Sequence, residues 1–290
     1  MKKLLITTSL MLLCIGSVFA QSRTGWEEDD LKNRVRALRV ERVLWREVWG
    51  KWKEQKRELF SESSYDTKGN RVELSIYTNG YPMKRVYSHD AKGNLAEVNY
   101  YEFGTRPFGK EEYIYNDTGQ LVGKRVSNGI RVKYEYDSKG NKISETVEDL
   151  AKDEGPRLVA LTDKTIYKYD EMGNLIEAAY FKSDGTKGTH SIFKAHKIVH
   201  EYDGKGVQTG TFHYDSDGRL IQKWVRKSEG NKVSTEYTDS SGMLKSKSVS
   251  AYEYDSRGNW IKRSDFVIEF KDSKTSEKPT IIEHRIISYY

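Results

Sequence analysis

The sequence has only one cysteine and four prolines among its 290 residues. A chain whose single cysteine is Cys14 cannot form an internal disulfide or a zinc site built from several cysteines. It also contains no Gly-x-Ser-x-Gly, His-Glu-x-x-His or glycine-rich phosphate-binding motif. These absences exclude the familiar sequence signatures of serine hydrolases, zinc proteases and nucleotide-binding enzymes.

The first twenty residues have the pattern of an export signal. Two lysines are followed by an apolar run over 4–19 and by the small residue Ala20. Because the run is too short for a membrane span, we expect a signal peptide over 1–20 that is removed before Gln21. The exported protein would then have no transmembrane segment, and we expect it to be periplasmic, secreted or associated with the outer surface.

Cys14 lies inside that apolar run and would leave with the signal, which excludes thiol catalysis in the mature chain. Leu13 precedes it, where lipid-modification signals require a small residue, so lipidation is the less favoured alternative. Loss of the signal also removes two lysines and leaves 47 basic against 43 acidic side chains. Because this excess is small and spread along the chain, we expect no nucleic-acid binding.

Aromatic residues make up 12% of the chain, and twenty of them are tyrosines. Many belong to a repeated signature, in which an aromatic residue and Asp are followed by two variable residues, Gly and often Asn. Nine copies occur; Asn116 takes the acidic position in the third, and Thr238 takes the aromatic position in the eighth. The acidic and glycine positions are Asp66 and Gly69, Asp90 and Gly93, Asn116 and Gly119, Asp137 and Gly140, Asp170 and Gly173, Asp203 and Gly206, Asp215 and Gly218, Asp239 and Gly242, and Asp255 and Gly258.

Each copy predicts a hairpin turn. The Asp carboxylate accepts backbone N–H groups ahead of it, and Gly takes the left-handed position that closes a bulged turn. The flanking residues alternate as in half-buried strands, so tyrosines two residues apart would share a face and pack across strands. Counting turns predicts roughly 16–18 short strands. Second turn signals lie between the copies, at Asn79-Gly80, Asn128-Gly129, Asp184-Gly185 and Glu229-Gly230.

The Tyr-Asp-x-x-Gly-Asn core resembles the rearrangement-hotspot (RHS) or YD-repeat family, in particular its short secreted bacterial members. The resemblance covers roughly residues 55–290 and includes the last copy, a hydrophilic stretch over 271–279 that we expect to form a surface loop between the last two strands, and the final Tyr289-Tyr290. It implies an all-β fold of tandem antiparallel β-hairpin repeats that form a curled or spiral meander sheet. In large members the sheet surrounds a C-terminal toxin domain. This sequence ends in repeat sequence, so we expect no toxin domain, and the resemblance supplies no catalytic residue.

The stretch 31–52 fits either a helical face or a strand. Its β-branched and aromatic residues favour a strand, in a first hairpin that pairs 34–45 with 55–65. After the signal peptide over 1–20, we expect a single domain over 21–290, with an N-terminal capping segment over 21–54 and repeats over 55–290.

Few residues suggest a chemical site. His190, His196 and His200 fall at even offsets, but ligands two residues apart on a strand are separated by about 7 Å, too far to share one ion. The sequence Asp215-Ser216-Asp217-Gly218 lacks the distal glutamate of a calcium loop. We therefore expect no metal, no cofactor and no catalytic residue. The side chains best able to stack on a ligand, or alternatively to pack in a thin core, are Trp45, Trp49, Trp52, Trp224 and Trp260.

The repeats, the export signal and the lack of reactive motifs favour a non-enzymatic, secreted or envelope-associated protein that presents a binding surface to a polysaccharide or a protein partner. One alternative is a hydrolase whose carboxylates assemble from distant strands. Another is a structural or immunity accessory of a toxin system. A barrel in the outer membrane is the disfavoured structural alternative, because Lys223 and Arg226 place charge on both faces of one predicted strand.

Overall fold

The computed structural model describes residues 24–78, 80–127, 129–149, 163–271 and 274–290. The expected signal peptide and the turn residues Asn79 and Asn128 lie outside these ranges. Apart from one short helix, the regular structure of the described residues is entirely β. The elements are α1 (Gly25–Glu28), β1 (Val35–Val48), β2 (Lys51–Glu54), β3 (Glu58–Tyr65), β4 (Arg71–Thr78), β5 (Tyr81–His89), β6 (Leu95–Glu102), β7 (Arg106–Tyr115), β8 (Leu121–Val126), β9 (Ile130–Tyr136), β10 (Lys142–Asp149), β11 (Lys164–Tyr169), β12 (Leu175–Phe181), β13 (Lys197–Tyr202), β14 (Gln208–Tyr214), β15 (Leu220–Glu229), β16 (Lys232–Asp239), β17 (Leu244–Tyr254), β18 (Trp260–Lys271) and β19 (Lys274–Tyr289).

Strands that follow one another in sequence pair as antiparallel neighbours from β3 to β19. Between β9 and β10, Gly140 N–H donates to Asp137 C=O (3.0 Å) and Asp137 N–H donates to Asn141 C=O (2.9 Å). The register shifts by one residue just after this turn. This is a three-residue hairpin loop closed by a glycine bulge, and it sets which face each tyrosine occupies.

The sheet closes on itself. Leu38 of β1 lies opposite Ile287 of β19 on one side and opposite Ser63 of β3 on the other. Eighteen strands therefore form a complete ring, and β2 pairs with the far end of β1 alone. The all-β antiparallel prediction is confirmed, but the expected spiral meander is wrong, because the structure is a closed barrel of strands. The long first and last strands satisfy each other's edge hydrogen bonds, and closure removes the open edges.

The two faces of the closed sheet differ in composition. The cross-strand register places Tyr113, Tyr134 and Tyr167 on one face, and burial raises the pKa of all three hydroxyls. The N-terminal segment and the connection before β13 pack on this same face, which is therefore the inner one. The outer face carries lysine and glutamate pairs, such as Lys110 with Glu97 (3.2 Å).

Two clusters of buried apolar side chains lie inside the ring. The first joins the N-terminal segment to the sheet and contains Leu31, Val35, Leu38 and Tyr65. The second contains Ala178, Tyr180, Ala195 and Ile198, with Phe193 and Tyr167 packed against it. The core is thus divided between two inner patches, which agrees with the small share of aliphatic residues in the sequence.

The ring has two ends, which we name by their turns. The repeat end carries the seven signature turns at 66–70, 90–94, 116–120, 137–141, 170–174, 203–207 and 255–259. The opposite end, which we call the aromatic end, carries the turn of the β1–β2 hairpin, the β4–β5 and β6–β7 turns and the two remaining signature turns, at 215–219 and 239–243.

The described residues of two stretches lie mostly in strands. The strand prediction for most of 31–52 is confirmed by β1, and its pairing with β3 confirms the first hairpin. The hydrophilic stretch 271–279 was expected to form a loop, but Val267 of β18 pairs with Lys278 of β19. A register shift next to Pro279 accommodates the proline, which cannot donate a backbone hydrogen bond.

Candidate functional site

The signature turns share one geometry. Oδ1 of Asp137 accepts the backbone N–H groups of Lys139 (2.9 Å) and Asn141 (2.8 Å), and Oδ2 accepts the Asn141 side-chain amide (2.9 Å). The Asn141 hydrogen bond holds the pKa of this carboxyl below its usual range. Gly140 has φ +84°, which glycine adopts without steric strain. The nine signature glycines all have φ between 76° and 92°: Gly69, Gly93, Gly119, Gly140, Gly173, Gly206, Gly218, Gly242 and Gly258.

The other signature carboxylates are engaged in the same way. Each accepts the backbone N–H of the residue four positions further along the chain, at 2.8–3.1 Å. They therefore act as hydrogen-bond acceptors within their own turns. These residues are Asp66, Asp90, Asp170, Asp203, Asp215, Asp239 and Asp255.

The signature tyrosines join successive copies at the repeat end. Tyr136 donates its hydroxyl to the backbone C=O of Leu121 (2.5 Å), the residue just after the preceding signature turn. Tyr115, Tyr169 and Tyr202 make the equivalent bond to the preceding copy, at 2.8–3.0 Å. Sequence reasoning assigned these rings to packing and missed the hydroxyl, although its fixed place before each Asp was a usable signal.

The N-terminal segment, residues 24–34, fills the inside of the repeat end. The Trp26 indole N–H donates to Val35 C=O (2.7 Å), and its ring lies against Gly69. Asp29 accepts the Tyr65 hydroxyl and pairs with Arg71 (2.6 Å). Polar groups therefore fasten this segment to the third strand and to the turn that follows it.

A cavity of about 230 Å³ lies beside this segment. The rings of Tyr87, Tyr113 and Tyr115 line it together with Arg71 and Glu28, which form an ion pair (2.7 Å). The Arg71 guanidinium lies over the Tyr87 ring, at 5.7 Å from its centroid. Burial raises the pKa of the Tyr115 hydroxyl to about 12, so this hydroxyl is neutral at physiological pH. The cavity combines apolar ring surfaces with polar groups near its edge.

A second cavity of about 490 Å³ lies at the same end, between the turns at 170–174 and 203–207. Asp170, Asp203, Tyr202 and His200 are among its lining residues. The pKa of Asp170 is lowered by the Asn174 side chain, and that of Asp203 by the backbone N–H of Val207. Both acids are therefore ionised at neutral pH, and neither is suited to donate a proton there.

His200 and His213 lie on the inner face, and each is hydrogen-bonded to its own glutamine. The amides of Gln208 and Gln222 donate to Nδ1 of His200 and His213 (2.9 Å each), which assigns the proton of each ring to Nε2. Neither Nε2 has a hydrogen-bond partner among the described residues. Burial lowers the pKa of both rings to about 4, so both are neutral at pH 7.

The two other histidines of the predicted series have structural contacts. His190 lies in the connection before β13 and stacks on Phe193 (4.9 Å between centroids), and His196 bonds to Gly188 C=O (3.1 Å). Within the part of the chain that the structure describes, no three His, Cys, Asp or Glu side chains form a group that could hold a metal ion.

An ion network crosses the inner face from β1 to β19. Glu283 pairs with Arg42 (2.5 Å) and Arg263 (2.9 Å), and Arg263 also pairs with Asp265 (3.1 Å). Burial raises the pKa of Asp265. Neither carboxylate lines either of the two cavities described above. The network joins the last strands of the ring to the first, at the seam where the chain closes.

The five tryptophans proposed for stacking fall into two classes. Trp224 packs between His213 (4.6 Å) and Phe193 (5.2 Å) inside the ring, and Trp260 is only 8% exposed beneath Arg285. The other three are Trp45, Trp49 and Trp52, on the β1–β2 hairpin that extends beyond the ring at the aromatic end. We call residues 45–54 the tryptophan hairpin.

The tip of the tryptophan hairpin is unusual. Trp49 has φ +54° and is 97% exposed. Trp45 and Trp52 lie opposite Glu54 and Glu47, so the register places all four side chains on one face of the hairpin. The structure thus presents these rings outside the core, in contrast to Trp224 and Trp260.

Further aromatic residues surround the next turns of the same end. Tyr81 follows the β4–β5 turn and is 63% exposed, and Phe103 lies in the β6–β7 turn and is 57% exposed. Their rings meet edge to face at 5.4 Å. Phe103, like Trp49, has a left-handed backbone, with φ +51°. We call Trp49, Tyr81, Phe103 and the half-exposed Phe108 the aromatic rim.

No helix among the described residues is long and apolar enough to cross a membrane. No family model matches the chain, and no curated protein matches it. Solved structures with a similar fold include TcdB2-TccC3, which contains RHS repeats, at 12% identity and a TM-score of 0.34, over 81% of this chain and 16% of that one. The complex TcdB2-TccC3-TEV is similar over 77% of this chain and 13% of that one, at 13% identity and a TM-score of 0.32. The chain thus spans less than a fifth of the length of these two structures.

A porin-like protein from Bacteroides uniformis is similar over 89% of this chain and 99% of that one, at 8% identity and a TM-score of 0.30. All of these likenesses are remote in sequence and partial in shape. The strand pairing of the described residues by itself shows a closed, antiparallel all-β sheet.

Proposed function

We propose that this protein is a non-enzymatic, exported binding protein of the RHS or YD-repeat type, secreted or associated with the cell envelope. Its partner is a polysaccharide or, as the second possibility, a protein, and the geometry favours the polysaccharide. The observation that carries this proposal is the tyrosine-lined cavity at the repeat end, where three rings surround a small space beside Arg71 and Glu28. One end of a glycan chain would enter this cavity.

The chemistry of the cavity suits a sugar. Aromatic rings offer flat apolar surfaces to the C–H faces of a sugar ring, while an ion pair and an amide offer hydrogen bonds to its hydroxyls. Asn70 and the Arg71–Glu28 pair supply those polar groups. A volume of about 230 Å³ is below the range of about 300–1,000 Å³ common for larger ligands, so it would take a single terminal unit.

The arrangement of acids supports a binding role over hydrolysis. Glycoside hydrolysis needs two carboxyl groups that flank a substrate site, one of them with a raised pKa. Asp170 and Asp203 line the larger cavity, but both have lowered pKa values and are engaged in their own turns. Asp265 has a raised pKa, but it belongs to the internal ion network and lines neither cavity.

A glycan array on the mature protein tests the proposal. We expect binding to a subset of glycans, which the variant Tyr87→Ala should lose. The matched control is Tyr101→Ala, because Tyr101 lies on the outer face of the adjacent strand β6. A thermal melt of each variant shows that the fold is retained.

Three results would count against a binding role for a polysaccharide at this cavity. Binding to no glycan, together with capture of one defined protein in a pull-down, would favour the protein partner. Equal loss of binding in Tyr87→Ala and Tyr101→Ala would place the site outside the cavity. Release of free sugars from a bound glycan would show that the protein is an enzyme.

A further inference from the structure

The aromatic rim has the properties of a docking surface. Trp49, Tyr81 and Phe103 lie at or beside three turns that are successive along the aromatic end, and each is more than half exposed. The half-exposed Phe108 and Met83 adjoin them. Single exposed apolar residues are ordinary on protein surfaces, but a run of large aromatic side chains at one edge marks an interaction site.

The backbone of the rim holds these rings outward. Trp49 and Phe103 both have left-handed backbone angles, which bulky residues seldom adopt. Each precedes a glycine that also has positive φ, Gly50 or Gly104, so each pair forms the centre of a two-residue turn in which Asn-Gly is the favoured pair. A bulky aromatic residue therefore takes the place of the favoured Asn in both turns, and its side chain is exposed, which indicates that the exposed rings have a use outside this chain.

The charge beside the rim is basic and largely unpaired. The tryptophan hairpin and the residues that follow it carry five cations against three carboxylates. Arg57 pairs with Glu41 (2.5 Å), whereas the other four cations have no ion pair among the described residues. Several lysines elsewhere on the outer face have a glutamate partner, such as Lys84 with Glu73 (2.6 Å). The four unpaired cations are Arg46, Lys51, Lys53 and Lys56.

We infer that the aromatic rim docks the protein onto the surface of an anionic lipid bilayer. Trp and Tyr favour the headgroup region, where their rings contact the acyl boundary and their polar atoms stay hydrated. Unpaired Lys and Arg beside them attract anionic headgroups. Trp49 and Phe103 would enter the headgroup layer, with Lys51 and Lys53 contacting lipid phosphates.

This inference goes beyond the proposed function and is independent of it. The rim and the tyrosine-lined cavity lie at opposite ends of the closed sheet. A protein docked by its rim would direct its repeat end, and with it the cavity, away from the lipid. Loss of glycan binding would leave the lipid contact intact, and loss of the lipid contact would leave glycan binding intact.

Co-sedimentation of the mature protein with vesicles tests the inference. We expect binding to phosphatidylcholine vesicles that contain phosphatidylglycerol, and weak binding to vesicles of phosphatidylcholine alone. The double variant Trp49→Ala, Phe103→Ala should bind the anionic vesicles at least about tenfold more weakly. The double variant Lys51→Glu, Lys53→Glu should lose the preference for anionic lipid while keeping its fold.

The matched control removes exposed apolar side chains from the repeat end. Met172 is 68% exposed and Tyr254 is 52% exposed there, so Met172→Ala, Tyr254→Ala should bind vesicles as the unchanged protein does. Equal vesicle binding by the rim variant and this control would overturn the inference. So would a rim variant that changes the sedimentation coefficient of the protein without vesicles, because the rim would then be an interface between copies of this chain.

Discussion

The two ends of the closed sheet differ in the regularity of their turns and in the exposure of their aromatic side chains. At the repeat end, Gly together with Asp, or with Asn116 in one copy, closes seven similar turns, tyrosine hydroxyls join one copy to the next, and the N-terminal segment packs inside. At the aromatic end, the turns vary in length and hold large rings in solvent. Regular turns whose polar groups are hydrogen-bonded therefore stabilise the repeat end, whereas the less regular turns of the aromatic end leave large side chains exposed.

Tryptophan substitutions give the largest expected contrast between the ends. Trp260→Ala should lower the free energy of unfolding by about 3–5 kcal/mol, because it leaves a cavity beneath Arg285 and beside Tyr252. Trp49→Ala should change it by less than about 0.5 kcal/mol, because its ring contacts solvent. Urea denaturation measures both, and equal losses would contradict the division of the tryptophans.

Turn glycines sharpen the comparison. Gly69 and Gly80 both have positive φ, so a valine at either should cost about 1–3 kcal/mol in backbone strain. A side chain at Gly69 would also meet the Trp26 ring, whereas Gly80 faces open space. Gly69→Val should therefore destabilise the protein by about 1–3 kcal/mol more than Gly80→Val. Thermal or urea unfolding checks this order, and a larger loss for Gly80→Val would contradict the packing of the N-terminal segment.

The pH dependence of the free energy of unfolding should distinguish the buried histidines of the interior from the carboxylates of the turns. His200 and His213 have folded pKa values of about 4, below the ordinary value of 6.5, so the unfolded chain binds more protons between these limits. The contribution of the two neutral rings to the free energy of unfolding is therefore present above pH 6.5 and is lost as the pH falls toward 4. Each histidine should contribute a loss of about 2 kcal/mol between pH 7 and pH 5.

The turn carboxylates should lose their contribution to stability at a lower pH than the histidines do. The pKa of Asp137 is lowered by the Asn141 hydrogen bond, so its contribution is present at neutral pH and is lost only as the pH falls through the lowered value. Urea unfolding at a series of pH values would show two stages. The variant His200→Gln should reduce the first stage, and a stability that is unchanged between pH 7 and pH 5 would contradict the burial of the neutral rings.

The smallest expected effect concerns the tyrosine hydroxyls. Tyr136→Phe should cost about 1 kcal/mol, because it removes the bond to Leu121 C=O. Tyr254 occupies the same position in its own signature copy, but its hydroxyl has no hydrogen bond among the described residues and the side chain is half exposed. Tyr254→Phe should therefore change the free energy of unfolding by less than about 0.5 kcal/mol. Equal effects in the two variants would show that the hydroxyl bonds contribute nothing.

Local features were the ones that sequence could predict. Asp137 and Gly140 lie three residues apart, so the chemistry of their turn needs no distant partner. The pairing of Leu38 with Ile287 could not be predicted, because any two long strands with free edges can pair and nothing in the local pattern selects these two. The spiral expectation failed for this reason.

The candidate sites also depend on contacts between distant residues, which local sequence patterns could not predict. Tryptophans with similar local sequence patterns ended in different places, because the seam of the ring buries Trp260 while the β1–β2 hairpin continues past the ring with Trp49. The cavity near Tyr87 joins residues from α1 and from all five strands β4 to β8, and no spacing in the sequence indicates that meeting. A site built from several strands becomes visible only when the strand order and register are known.

The sequence by itself determined most of the strands, their turns and the alternation that places paired tyrosines such as Tyr113 and Tyr115 on one face, because each depends on residues only a few positions apart. Tertiary structure alone decided that the sheet closes, which face lies inside, and which aromatic side chains stay exposed at one end. These properties depend on the contact between the first and last strands, which are separated by most of the chain. Burial in a closed sheet is a property of the whole ring, so no single repeat can specify it.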